Sequence, residues 1–223
     1  MRAPTRLAVF DCDGTLVDGQ ADVCWAMERA FARAGLPAPD SHDVRRAVGL
    51  SLPVAVRHLA PDLAEYQVAA VSEFYRSSFR ARREEGLLDE PLYDGIAELL
   101  TDLHAAGWSL AVATGKSDRG LAACLAGHGI ADLFVSLQTA DRHPSKPHPA
   151  MLEAALFEAG AEASEAVMIG DTSFDMLMAR SIGVCGIGVA WGYHAPHELL
   201  ASGAASVADS VAALAAALEE TLP

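Results

Sequence analysis

"LAVFDCDGTLVD", residues 7–18, sets four apolar residues directly before a pair of acids. A short continuous apolar run bounded by a turn signal reads as a strand buried on both faces. It leads into Asp11, with Asp13 two positions further on. Residues i and i+2 of an extended segment share a side, so both carboxylates face one place. Carboxylates that close together repel, and each raises the other's pKa unless a cation meets them. A hard divalent ion removes that penalty, and Mg2+ suits a shell shared with water and phosphate oxygens. Gly14 permits a sharp turn whose backbone N–H groups face an anion.

Two further apolar runs end the same way. "SLAVA" ends on Thr114, and "AVMIG" ends on Asp171. The apolar spacing predicts helix 95–106, strand 108–113, helix 118–128, strand 133–137, helix 149–159 and strand 166–169. Helix 174–182, strand 184–189 and helices 196–202 and 210–220 follow. Strands alternating with helices imply a parallel sheet with right-handed crossovers. All C-terminal strand ends of such a sheet lie on one edge, where open α/β sheets bind ligands. Asp11, Asp13, Thr114 and Asp171 are therefore expected to converge.

Residues 18–88 break the alternation. Val23, Met27, Ala30, Phe31 and Ala34 fall on one helical face, and Gly35, Pro37 and Pro39 end that helix. Two short helices over 41–60 and a long one over 62–85 complete the block. The predicted architecture is α/β: a Rossmann-like parallel sheet core with helices on both faces, residues 1–17 and 89–223. An all-α insert occupies residues 18–88, with linkers near 16–20 and 86–92.

Composition narrows the function. Of 223 residues, 52% are hydrophobic, enough for a packed core. Thirty acids against sixteen bases give a formal net charge of −14, which argues against nucleic-acid or anionic-membrane surfaces. An acidic chain with an anionic substrate must gather its few cations locally. Lysine is scarce, with only Lys116 and Lys146 against fourteen arginines. The four cysteines lack metal spacing and predict a reducing, cytoplasmic setting. No signal peptide or run of 18 apolar residues is visible, so no membrane span is expected.

"PSKPHP", residues 144–149, encloses Lys146 in a loop stiffened by three prolines, a place to hold an ammonium against a phosphate. Asp171 and Asp175, taken alone, are possible caps of helix 174–182. "GKS" at 115–117 lacks the glycine a P-loop needs at 110, which is Leu. Cys12 is read as a small core residue pointing away from the two acids. Trp191, Tyr193 and His194 are read as core or rim packing.

Together, "DCDGTLVD", Thr114, Lys146 and "GDTSFD" at 170–175 resemble the haloacid dehalogenase superfamily of phosphatases over nearly the whole chain. The insert at 18–88 resembles that superfamily's helical cap domain. "GVAWGYHAPHELLASGA" is similar to its phosphoglycolate phosphatase-like subgroup. The resemblance implies Asp11 as the nucleophile that becomes an aspartyl-phosphate, and Asp13 as general acid, then base. It implies that Thr114 and Lys146 bind the phosphoryl group together with Gly14 and Gly115. Mg2+ would sit between the Asp11 carboxylate, the Asp13 backbone carbonyl and Asp171, with Asp175 supporting Lys146 or a metal-bound water. Intact Asp13 and "GDTSFD" favour phosphate chemistry over dehalogenation. The absence of Lys from 18–88 sets aside a Schiff-base phosphonate-cleaving relative.

The expected substrate is a small phosphorylated metabolite, phosphoglycolate-like or a sugar phosphate. A sugar-phosphate mutase and a catalytically idle phosphate-binding scaffold remain as alternatives. Arg45 and Arg46, near the "VGLSL" break, are candidate contacts for an anionic leaving group; a solvated helix face is the competing reading. The chain is expected to be a monomer or homodimer.

Overall fold

The computed structural model describes residues 5–222. Strand β1 (Leu7–Phe10) is fully buried and lies at the centre of a six-stranded, all-parallel sheet. It pairs with β2 (Ser109–Thr114) on one side and β4 (Ala166–Gly170) on the other. Beyond β2 lies β3 (Phe134–Thr139); beyond β4 lie β5 (Cys185–Val189) and β6 (Ser206–Ala208). The order β3-β2-β1-β4-β5-β6 reverses direction between β1 and β4. That switch point opens a crevice at the C-terminal edge.

Alternation along the strands sorts the core into two layers. Ala8, Phe10, Leu110, Val112, Val167 and Ile169 point to one face. There they meet α5 (Ile96–Ala105), α6 (Asp118–Gly127) and α10 (Val211–Thr221). Leu7, Val9, Ala111, Ala113 and Met168 point to the other face, onto α7 (Ala150–Ala159) and α8 (Ser173–Ser181). The near-continuous apolar runs of the sequence are those of strands covered on both sides.

Strand β6 is absent from the sequence reading. It has three residues, with Ser206 exposed, Val207 half-buried and Ala208 buried. Three positions cannot display a period of two. Its place is fixed by pairing with β5, Ile187 to Ser206 through Val189 to Ala208. A further helix, α9 (Pro196–Ser202), precedes it.

Four helices form the insert: α1 (Gln20–Arg33), α2 (Ser41–Arg46), α3 (Leu52–Leu59) and α4 (Glu65–Glu84). They enclose a separate core in which Val23, Met27, Ala30 and Phe31 of α1 meet Val56, Val68 and Val71. The face foreseen on α1 is the buried one, with Ala34 packed at its margin. Two strands of chain connect insert and sheet side by side. Tyr93 N–H donates to Leu16 O at 3.0 Å, and Asp18 N–H to Pro91 O at 2.8 Å. Among the described residues, no helix is long and apolar enough to cross a membrane.

Candidate active site

Asp11 follows β1, Thr114 ends β2 and Asp171 follows β4, so three adjacent strands deliver them to one edge. All three are buried. Carboxylate oxygens of Asp11, Asp171 and Asp175 lie within 4.8 Å of one another. Lys146 reaches this cluster from its proline-stiffened loop and is fully buried. Its Nζ stands 2.9 Å from Asp11 Oδ1 and 2.6 Å from Asp175 Oδ1. Asp175 also accepts from Thr172 N–H and Oγ1–H through Oδ2, so both its oxygens are occupied.

The Asp11 carboxylate is unevenly partnered. Oδ1 faces Lys146 and accepts from Cys12 N–H at 2.7 Å. Oδ2 is buried with no partner among the described residues. Burial pushes the Asp11 carboxyl up to about 7, against the pull of Lys146. Burial likewise pushes Asp171 up, reinforced by Asp11 and Asp175. Asp171 is nevertheless held in place by Thr15 Oγ1–H at 2.9 Å and Tyr193 N–H at 2.8 Å. Buried carboxylates with an orphaned oxygen are a donor set that fits a hard dication.

Glycine geometry makes the approach possible. Gly14 sits at φ +82°, and a Cβ there would lie 2.3 Å from Asp171 Oδ2. A Cβ on Gly115 would meet Leu50 O at 2.5 Å. The insert loop at 49–51 therefore rests directly on the end of β2. Ser51 N–H donates to Ser145 Oγ across the same junction at 2.8 Å.

The Asp13 carboxylate stands outside the three-aspartate cluster. Its Oδ1 pairs with Lys116 Nζ at 2.9 Å, and the same ammonium sits 2.6 Å from Glu90 Oε1. Burial raises the Asp13 carboxyl, Lys116 opposes this, and Glu90 adds to it. Thr114 Oγ1 accepts from Lys116 N–H at 3.2 Å, leaving its own O–H to donate. Neither Lys116 nor Glu90 stands out as a site residue from the sequence alone. The signal was lysine scarcity: both lysines of the chain pair with acids of this site.

The two arginines expected at the substrate take other places. Arg46 forms a bidentate pair with Glu198 of α9, at 2.6 and 2.7 Å. Arg45 lines a separate cleft beside Asp18, Cys24 and Asp89. The chamber adjoining Asp13 is lined instead by Arg76, Arg80 and Arg83 of α4, with Lys116 and Arg119 from the core. Arg46 links insert to core a second time through its carbonyl, 3.1 Å from His194 Nε2. His194 Nδ1 accepts from Ser173 N–H, which assigns the ring proton to Nε2.

The Arg46 guanidinium and Ala195 N–H draw the Glu198 carboxyl down to about 2. A carboxyl held low in the fold stabilises it above the ordinary glutamate range, and that help fades as pH falls towards 2. Arg46→Ala is expected to cost about 1 kcal/mol at neutral pH, as for a partly exposed pair. The difference from wild type shrinks on acidification, as urea denaturation at several pH values will show. A cost independent of pH would mean the pair is not the link.

A family model described as haloacid dehalogenase-like hydrolase matches residues 8–189. A Dickeya dadantii protein named "Probable phosphatase IndB" is 36% identical, covering 88% of this chain and 86% of its own. The phosphoglycolate phosphatase of Vibrio parahaemolyticus is 33% identical over 94% of each chain. Among solved structures, a hydrolase from Pseudomonas syringae superposes with a TM-score of 0.87 at 25% identity, covering 98% of this chain and 100% of that one. Motifs, sheet order and these likenesses agree: the chain belongs to the haloacid dehalogenase-like hydrolases and is a phosphatase of that family.

Proposed function

We propose that the chain hydrolyses a small phosphate monoester with Mg2+, through an aspartyl-phosphate on Asp11. The observation that carries this reading is the unpartnered Asp11 Oδ2 beside Lys146 and Asp171, with the raised Asp13 carboxyl standing nearby. Asp11 and Asp171 carboxylates and the Asp13 backbone carbonyl are the groups that would hold the cation. When bound, Mg2+ supplies charge neutralisation for the phosphoryl oxygens.

The remaining chemistry belongs to the chain. An Asp11 oxygen attacks phosphorus, and the bond from phosphorus to the ester oxygen breaks. Asp13 gives its proton to that leaving oxygen, for which a raised carboxyl is suited. Lys146 and the Thr114 hydroxyl balance charge on the transferring group. Water then attacks phosphorus, Asp13 takes its proton, and Asp11 is released. The insert, residues 18–88, serves as a cap over the edge. Phosphoglycolate belongs on the substrate panel because the Vibrio relative bears that name.

Phosphate release across phosphoglycolate, sugar phosphates, nucleotides and pyrophosphate, with and without Mg2+, tests the reading. Mg2+-dependent release is expected from at least one ester. Phosphoryl migration within a hexose phosphate, without release, would make the chain a mutase. Binding of the cation requires ionised carboxylates. With Asp11 pushed up to about 7 by burial, apparent Mg2+ affinity should weaken below that pH, roughly tenfold per unit for one displaced proton. Magnesium titrations from about pH 5.5 to 8 will show the slope; a flat profile contradicts the role given to Asp11.

A further inference from the structure

The chamber above Asp13 has a volume near 260 Å³ and two kinds of wall. One is apolar, built from Val23, Met27, Val48, Leu52, Tyr75 and Phe79. The other is cationic: five basic side chains line it against two acids, Asp13 and Asp141. Both acids are occupied, Asp13 by Lys116 and Asp141 by the Asp118 N–H. In a chain of net charge −14, this local excess of positive charge is the feature that needs an occupant.

The cations are arranged by distance from the chemistry. Lys116 is bound to Asp13 and Glu90, and Arg83 stands 3.4 Å from Glu90, so these two mark the reacting end. Arg83, Arg80 and Arg76 follow one face of α4 at helical spacing. At about 1.5 Å per residue, Arg80 lies roughly 4.5 Å and Arg76 roughly 10 Å further along the helix from Arg83. Arg76 has only a 3.9 Å pairing with Glu73. Arg80 and Arg119 carry no ion pair or hydrogen bond to the described residues, although both line the chamber. The chamber thus combines an apolar wall with two exposed guanidinium groups that have no partner among the described residues.

We propose that the leaving group of the natural substrate has an apolar body and a second anionic group at its far end, received by Arg80 and Arg119. This rests on the phosphatase reading and narrows its substrate class to phosphate monoesters of anion-tailed alcohols longer than two carbons. Arginine's planar fork suits a carboxylate or a second phosphate, and the apolar wall removes the intervening body from water. At the reacting end Lys116 and Arg83 are already paired with Asp13 and Glu90, so the unpaired cations of the chamber are Arg80 and Arg119.

Alkyl phosphonates test this without turnover, so the outcome stands apart from the aspartyl-phosphate reading. Calorimetry in Mg2+ buffer would compare unbranched alkyl phosphonates with their ω-carboxylate analogues over a range of tail lengths. The carboxylate should improve affinity about tenfold, or about 1.4 kcal/mol, with the gain greatest at an intermediate length. Arg80→Ala and Arg119→Ala should each remove most of that gain, and Arg80→Lys should restore part of it. Equal affinities for the two series would overturn the proposal. So would a gain that peaks at the shortest tail, or one kept in both alanine variants.

Discussion

Asp11→Asn will lose phosphate release by about 10⁴-fold or more, the scale on which enzymes lose turnover with their nucleophile. The amide cannot form the acyl phosphate, and it offers no anionic oxygen to a dication. The same variant has an opposite effect on stability. Burial raises the Asp11 carboxyl from its ordinary value near 3.8 to about 7. A carboxyl raised in the fold costs stability once ionised: the penalty begins above the unfolded pKa and is complete above the folded one. Metal-free Asp11→Asn should therefore melt above wild type at about pH 8, and the margin should vanish as pH falls below the ordinary aspartate range. Adding Mg2+ should raise the melting temperature of wild type more than that of the variant. An inactive variant that is also less stable at high pH would show that Asp11 is chiefly structural.

Lys146→Met carries the other large effect, through the partners it strands. The ammonium is fully buried between Asp11 and Asp175, which raise its pKa while burial opposes them. Breaking a buried pair by deleting one member costs about 3–5 kcal/mol. In a chain of this size that is roughly 10 °C in melting temperature. Turnover should fall by about 10²–10³-fold as charge balance on the phosphoryl group is lost. Lys146→Met combined with Asp175→Asn should recover part of the stability and little of the activity. Recovery of both together would assign Lys146 a purely structural role.

Much of this arrangement is legible in the chain because its most informative residues stand at strand ends. An apolar run that stops on Asp11, Thr114 or Asp171 reports both the strand and the edge on which its last side chain lies. Parallel pairing then brings distant residues together without knowledge of packing. Lys146 was visible through the prolines around it.

What lay hidden depends on how the cap meets the core. "RARREE" reads as the charged end of a helix, and only the docking of α4 turns Arg80 and Arg83 towards Asp13. Arg46 looked available for an anion until α9 placed Glu198 against it. Lys116 follows a glycine in what reads as a turn, and its partner Glu90 lies in the returning linker. Spacing along the chain does not encode such contacts. They follow from the loop at 49–51 settling on Gly115.

Stopping the reaction in acid during turnover of the best ester with Mg2+, then weighing the peptide containing Asp11, tests the aspartyl-phosphate itself. A phosphoryl group is expected on that peptide, located at Asp11 by fragmentation, absent from Asp11→Asn and lost on treatment with hydroxylamine. Turnover at full rate with an unmodified Asp11 peptide at every quench time, or with the phosphoryl group on another residue, would contradict it.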